Sequence, residues 1–274
     1  MAGLDIAYLS TWIGREMSAS ERLTEALVGK YRATFDMDGT AAAAPRLIHF
    51  CLGAPAAPTA DLGPDGHPRR GGFLPPVELP RRMWAGGSLR FSGDLNAGDE
   101  VDRRSEIADV VIKSGRSGQL CFVKVKHTIS VLGAVRVQEI QDIVYRDLGG
   151  AAAPAQSAPP GETRVRVTPH ATLLFRYSAL TFNAHRIHYD RRYVMEEEGY
   201  PGLIVHGPMQ AALLFNLAAK IAGEPPCAFD FRSLSPLFDT EDVFLNARRE
   251  GSSLKLWSCH ENGPVAMHAE ARFS

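Results

Sequence analysis

The chain has no long apolar run, no closely spaced cysteine pair and no basic stripe, and each absence removes a class of function. No stretch approaches the roughly 20 consecutive apolar residues that cross a bilayer, so a membrane protein is not expected. Met1 to Arg15 shows no basic head followed by an apolar segment. No secretory leader is therefore indicated, and the cytoplasm is the expected compartment. The four cysteines, Cys51, Cys121, Cys227 and Cys259, stand far apart with no Cys-x-x-Cys pair. That spacing suggests neither a zinc knuckle nor a redox pair. Lys and Arg total 30 against 31 Asp and Glu, a net charge of −1, and basic residues cluster only in pairs such as Arg69–Arg70 and Arg191–Arg192. A nucleic-acid binder gathers positive charge on one face, so that class is not expected either. What remains is a chain of 274 residues, 45% hydrophobic and 22% charged. That is ordinary for one large or two fused globular domains with a substantial core.

Composition divides the chain. Gly149 to Glu162 is rich in Ala, Pro, Gly and Ser, the makeup of a linker. It separates an N-terminal half, 1–148, from a C-terminal half, 163–274. A second Pro- and Gly-rich stretch, 53–72, is long enough to be a functional lid or a disordered excursion. Ser18 three residues before Glu21 has capping-box spacing, and Leu23, Leu27 and Tyr31 then recur at helical spacing to about Phe35. Cys121, Val123, Val125, Ile129 and Val131 alternate, interrupted only by His127, and Val135 to Tyr145 reads as the neighbouring strand across a turn at Gly133. In the second half, Gly207–Pro208 opens a helix that is apolar on nearly all sides and stops at Gly223. Strands follow at Val243–Arg248, Leu254–Cys259 and Val265–Phe273. Residues 90–101 and 232–243 echo one another, each upstream of a strand run. The expected architecture is α+β, a central helix wrapped by an antiparallel sheet and repeated twice.

The stretch from Tyr177 to Asp190 carries Asn183, His185, Arg186 and His188, and His206–Gly207 lies downstream. His188 suits acid–base work because its ordinary pKa lies near neutrality; it also suits a structural histidine capping a turn. A metal site built from His185, His188 and His206 lacks an acidic or Cys ligand at a recognised spacing, so no metal is expected. Gly207, at a helix start, can present a free N–H to a developing anion, or can simply serve a tight turn. Arg186 can meet a substrate carboxylate or pair with Asp190.

These residues resemble the signature of the MaoC-like (R)-specific enoyl-CoA hydratases and dehydratases. That signature runs Asp-x-Asn-Pro-aliphatic-His, with a Val-His-Gly turn some eighteen residues on. Leu79 to Gly87 and Gly115 to Gly118 are similar to the divergent first domain of two-domain members. The resemblance implies a double hotdog with one active site, in the C-terminal half, and Asn183, His188 and Gly207 as its catalytic groups. Tyr177, His185, Arg186, His206 and Arg232 become candidate substrate contacts. The substrate is implied to be an acyl-CoA thioester, with no cofactor beyond it, and a homodimer is expected. Asn183 stands where the family has its Asp, and His185–Arg186 where it has Asn-Pro, so His188 is left as the acid–base. This variant is most similar to hydratases of 3-methylfumaryl-CoA or itaconyl-CoA, which give citramalyl-CoA, and to 3-hydroxyacyl-thioester dehydratases. An acyl-CoA thioesterase and a non-catalytic acyl-CoA-binding module are the other readings, since the scaffold alone does not fix the chemistry.

Overall fold

The computed structural model describes residues 4–38, 43–115, 118–147 and 156–274. Residues 149–155 of the expected linker, and 116–117 of the Gly115–Gly118 likeness, lie outside them. The first half runs α1 (Ile6–Ser10), β1 (Glu16–Arg22), α2 (Glu25–Thr34), β2 (Arg81–Phe91), β3 (Glu100–Gly115), β4 (Gly118–Val131) and β5 (Ala134–Arg146). The second runs β6 (Thr163–Val167), α3 (Ala171–Leu180), α4 (Arg191–Glu196), α5 (Gly207–Ala222), β7 (Ala228–Ser233), β8 (Val243–Glu250), β9 (Ser253–His260) and β10 (Met267–Arg272).

The strands form one antiparallel sheet in the order β1-β3-β4-β5-β2-β7-β10-β9-β8-β6. Read from its middle, the order is the same in both directions: each half contributes five strands with the same connectivity. The sequence echo falls on equivalent connections, β2 to β3 and β7 to β8. This is the double hotdog. Its seam is the pairing of β2 with β7, where Gly86 lies opposite Arg232 and Gly87 opposite Phe231. The backbones approach so closely that a Cβ on Gly86 would stand 2.5 Å from the Phe231 carbonyl oxygen. One on Gly87 would stand 2.6 Å from the Ile140 carbonyl oxygen and 2.8 Å from the Phe231 ring. Glycine inside a strand here marks backbone packing, beside the bulge between Trp84 and Gly86.

Alternation explains the burial. On β4, Cys121, Val123, Val125, His127, Ile129 and Val131 all face the interior. His127 thus keeps the period and places a polar ring on the buried face, sharing hydrogen bonds with Ser105 (2.8 Å) and Gln141 (3.1 Å). In the second half the sheet wraps α5, whose Met209, Ala212, Leu214, Phe215 and Ala218 are buried. Pro208 in its first turn and Gly223 at φ 79° set its ends. Among the described residues, the matching region of the first half holds two short 3-10 helices, Ile48–Cys51 and, within the long loop, Thr59–Asp61. The two halves are therefore alike in sheet and unlike in helix. Among the described residues, no helix is long and apolar enough to cross a membrane.

One sequence expectation is corrected. Ser18 and Glu21 do not cap a helix. Both lie in β1, and the Glu21 carboxylate accepts the Gly53 N–H (2.8 Å). The cap of α2 is Thr24, whose hydroxyl accepts the Leu27 N–H at 3.1 Å. Pairing of β1 with β3 overrides the local cap signal.

The seam yields a test. Gly87→Ala should destabilise the fold by about 1–3 kcal/mol through overpacking, read as a lower urea midpoint; an unchanged midpoint would mean the strands part without cost.

Candidate active site

The segment after α3 folds around its own polar groups. Asn183 accepts the His185 N–H through Oδ1 at 3.0 Å, an Asx turn, and leads into a 3-10 turn, Arg186–His188. His188 Nδ1 lies 2.7 Å from the Ile204 carbonyl oxygen. A carbonyl only accepts, so Nδ1 carries the proton and Nε2 is left bare. The ring stacks on His206 at 3.6 Å and 19°. His206 in turn shares a hydrogen bond with the Ser178 hydroxyl at 2.8 Å, and the Tyr177 ring meets it edge-on at 5.0 Å. These contacts tie α3, the 3-10 turn and the start of α5 into one unit.

That unit forms one wall of a cavity of about 900 Å³, which Asn183, His185, His188 and Gly207 line from the second half. The volume is within the range of small-molecule sites. Gly207 is the first residue of α5, where N–H groups have no intrahelical acceptor and the helix dipole is positive. The first half lines the cavity with Arg82 and Trp84 of β2 and with Arg103, His127, Glu139 and Gln141. Arg103, His127 and Gln141 are joined by hydrogen-bonding contacts. Burial alone would raise the Glu139 carboxyl, but His49, His127 and Arg103 outweigh it and hold the pKa at about 2.

The 53–72 loop enters the cavity and meets the second half. The Arg186 N–H donates to the Asp65 carbonyl (2.9 Å), and Arg186 Nη1 donates to the Pro64 carbonyl (2.9 Å). Gly66, at φ 87°, packs so tightly that a Cβ there would lie 1.9 Å from the Ala184 carbonyl oxygen. The turn brings His67 into contact with Asp65, Nδ1 to Oδ2 at 2.9 Å, and lays its ring against His185 at 4.0 Å. Asp65, His67 and His185 are the group among the described residues whose ligating atoms lie within 4.8 Å of one another. His185, His188 and His206, weighed as a metal set from sequence, are instead packed ring against ring.

Electrostatics keep these imidazoles neutral. Burial pushes His188 down to about 4, partly offset by its bond to the Ile204 carbonyl. His206 lies well below the usual range, through burial and then through His188 and His185. His185 is lowered by burial, by His67 and by His188. Burial also lowers His67, although the Asp65 carboxylate pulls the other way. Burial would raise Asp65, but the hydrogen bonds and charge of His67 hold it below the usual carboxylate range.

The structure sorts the sequence candidates. Asn183, His185, His188 and Gly207 share the cavity wall. Four expected substrate contacts lie off the cavity wall. Arg186 turns away from the cavity: its guanidinium bonds Asp190 at 2.8 and 3.0 Å and lies over the Tyr193 ring. Tyr177 is in the core, packed between Phe35 and His206. His206 is fully buried behind His188. Arg232 lies outside the cavity wall because strand alternation on β7 turns Phe229 and Phe231 inward and Arg232 to solvent. Sequence reasoning missed Ser178, Arg82 and the Asp65–His67 pair. The one available signal for the pair was two titratable groups within a loop already marked as unusually long.

The profile of the hydroxyacyl-thioester dehydratase type 2 family matches residues 47–239. The mesaconyl-C(4)-CoA hydratase of Chloroflexus aurantiacus is 43% identical over 266 residues, covering 94% of this chain and 95% of that protein. The mitochondrial hydroxyacyl-thioester dehydratase type 2 of Schizosaccharomyces pombe is 26% identical over 273 residues, covering 86% of this chain and 90% of that protein. In fold, the chain superposes on the crystal structure of a MaoC-like dehydratase from Phytophthora capsici with a TM-score of 0.75 at 14% identity, over 99% of this chain and 98% of that one.

Neutral buried histidines make stability depend on pH. Above the unfolded pKa of about 6.5 neither state binds the proton. Below it the unfolded chain does and the fold does not, so stability falls as pH drops toward the folded value. His127 and His188 both sit at about 4 in the fold. Lowering the pH from 7 to 5 should therefore cost about 2–4 kcal/mol in urea unfolding; a loss below about 1 kcal/mol would mean that these rings titrate freely.

Proposed function

The chain belongs to the hydroxyacyl-thioester dehydratase type 2 family and is an enzyme of the hydratase/dehydratase kind; from that premise we propose that it adds water reversibly across the double bond of an enoyl-CoA whose acyl group carries a second carboxylate. In the forward direction the water oxygen bonds to the β-carbon while His188 Nε2 takes the water's proton. The double-bond electrons pass through the α-carbon to the thioester oxygen. Gly207 N–H, at the open end of α5, donates to that oxygen, and stabilising such an oxyanion is usually the largest catalytic contribution. Collapse of the enolate draws a proton onto the α-carbon, so one water is added and nothing else consumed. Asn183, an amide that cannot take up a proton, orients the water.

The observation that carries this reading is the bare Nε2 of His188 on the wall of a cavity, one ring stack away from an open helix terminus. The polar cluster of Arg103, His127 and Gln141, set among apolar neighbours such as Val125 and Ile143, favours an acyl group with a polar end. A long alkyl chain laid against Arg103, His127 and Gln141 would strip water from them without replacing its hydrogen bonds. With Arg186 committed to Asp190, Arg82 becomes the carboxylate partner. Its neighbour Arg81 pairs with Glu198 at 3.4 Å, whereas Arg82 forms no ion pair among the described residues and lies on the cavity wall. The 43% identical relative, a mesaconyl-C(4)-CoA hydratase, supports the same class, with 3-methylfumaryl-CoA (mesaconyl-CoA) or itaconyl-CoA as substrates to try first.

The direct test is ultraviolet absorbance of an enoyl-CoA on adding the protein. Loss of the conjugated band with no free thiol is expected; release of thiol would make it a thioesterase, and an unchanged spectrum across a panel of acyl groups would leave only binding. His188→Ala should abolish hydration with the fold intact, and Asn183→Ala should cost about 10²-fold. Retention of most of the rate in His188→Ala would remove His188 from the chemistry. Arg82→Met should raise KM for mesaconyl-CoA by about tenfold or more while leaving crotonyl-CoA nearly unaffected, as the loss of a charged hydrogen bond of about 1.5–3 kcal/mol implies. Equal effects on both substrates would reject Arg82 as the carboxylate partner.

A further inference from the structure

Asn183 places an amide in the histidine turn, and a carboxylate–histidine pair reaches that turn from the first half. We propose that His67, backed by Asp65 and delivered by the 53–72 loop, is a second catalytic group, the one that gives a proton to and takes it from the substrate α-carbon. This assignment rests on the hydratase reading and adds a residue to it.

Three observations place the pair there. Asp65 and His67 both line the cavity that His188 and Gly207 share. The His67 ring faces His185 at 4.0 Å, and His185 meets His188 at 5.4 Å, so His67 and His188 stand at opposite ends of a row joined by His185. The loop is fixed against the very segment that carries His188. The Arg186 backbone and guanidinium hold Pro64 and Asp65, and Gly66 lies on the Ala184 carbonyl in a space no side chain could share. Arg186, anchored in turn by Asp190, is thus a positioning residue for the loop.

The chemistry follows from the partners. Asp65 Oδ2 accepts from His67 Nδ1–H at 2.9 Å, and Asp65 Oδ1 accepts the His67 backbone N–H at 3.0 Å. The carboxylate thereby fixes the tautomer, leaves His67 Nε2 bare and stabilises the imidazolium that forms there, the role of the acid in an Asp–His pair. Of the rings in the row, His67 alone has a carboxylate partner. In hydration, His188 takes the proton from water. His188 gives that proton up to solvent, and His67 takes one from solvent on its bare Nε2. His67 then gives it to the α-carbon as the enolate collapses. Each of the two rings gains one proton and loses one, and every imidazole ends neutral.

The test separates the two ends. α-Hydrogen exchange of a saturated thioester, butyryl-CoA or succinyl-CoA, in D2O needs no water addition and reports the α-proton group alone. His67→Gln should lose about 10²-fold or more in both exchange and enoyl-CoA hydration, and Asp65→Asn about tenfold in both, each with circular dichroism unchanged. His188→Ala should lose hydration and keep most of the exchange. His67→Gln and Asp65→Asn within about threefold of wild type in both assays would overturn the assignment while hydration by the wild-type chain stands. Hydration that chelation abolishes and Zn²⁺ restores would overturn it too, by making Asp65, His67 and His185 metal ligands. Wild-type exchange without hydration of any enoyl-CoA would sink the hydratase reading and leave His67 as an α-proton group.

Discussion

The hydrogen bond from His188 Nδ1 to the Ile204 carbonyl, with the ring laid flat on His206, is the contact on which the site depends. It decides which nitrogen is free and in which direction it points. It also holds the 3-10 turn against the strand-like approach to α5, so that the imidazole and the open helix end share one wall. Behind it, Ser178 fixes the His206 ring and Tyr177 fills the space left over. Removing any of these would loosen the geometry before it touched the chemistry, because catalysis is sensitive to shifts of about an ångström.

The two halves contribute five strands each, with like connectivity, to one sheet, and differ in their helices. The second half keeps the long helix and the histidine turn. The first half has short 3-10 turns among its described residues there, and it lines the cavity with Arg103, His127, Glu139, Gln141 and the 53–72 loop. The seam between β2 and β7 joins the halves: glycines there bring the backbones close, Trp84 packs against Gly207, and Arg82 lines the same cavity. Both halves line one cavity, and the histidine motif enters it from the second half alone.

Much of this was legible in the sequence, for physical reasons that can be named. The apolar run from Gly207 to Gly223 has Pro and Gly where a buried helix wants them. The alternation of β4 survives the interruption at His127. Asn183, His188 and Gly207 were readable because one short segment and one helix start carry them. The failures were of another kind. Ser18 and Glu21 had local cap chemistry, but pairing with β3 won. Arg186 had two candidate partners in sequence, and the nearer, Asp190, took it. The Asp65–His67 pair was hidden because its meaning comes from a contact with Ala184 and Arg186, far along the chain, which no periodicity encodes. Arg82 reads as one arginine of a pair until the fold shows Arg81 bound to Glu198 and Arg82 turned to the cavity.

The most direct test of the account is a crystal structure of the chain with a 3-hydroxyacyl-CoA bound. The thioester oxygen should lie within hydrogen-bonding distance of the Gly207 N–H, and the 3-hydroxyl within reach of His188 Nε2 and Asn183. An acyl group seated elsewhere, with the His188 face of the cavity filled only by water, would contradict it.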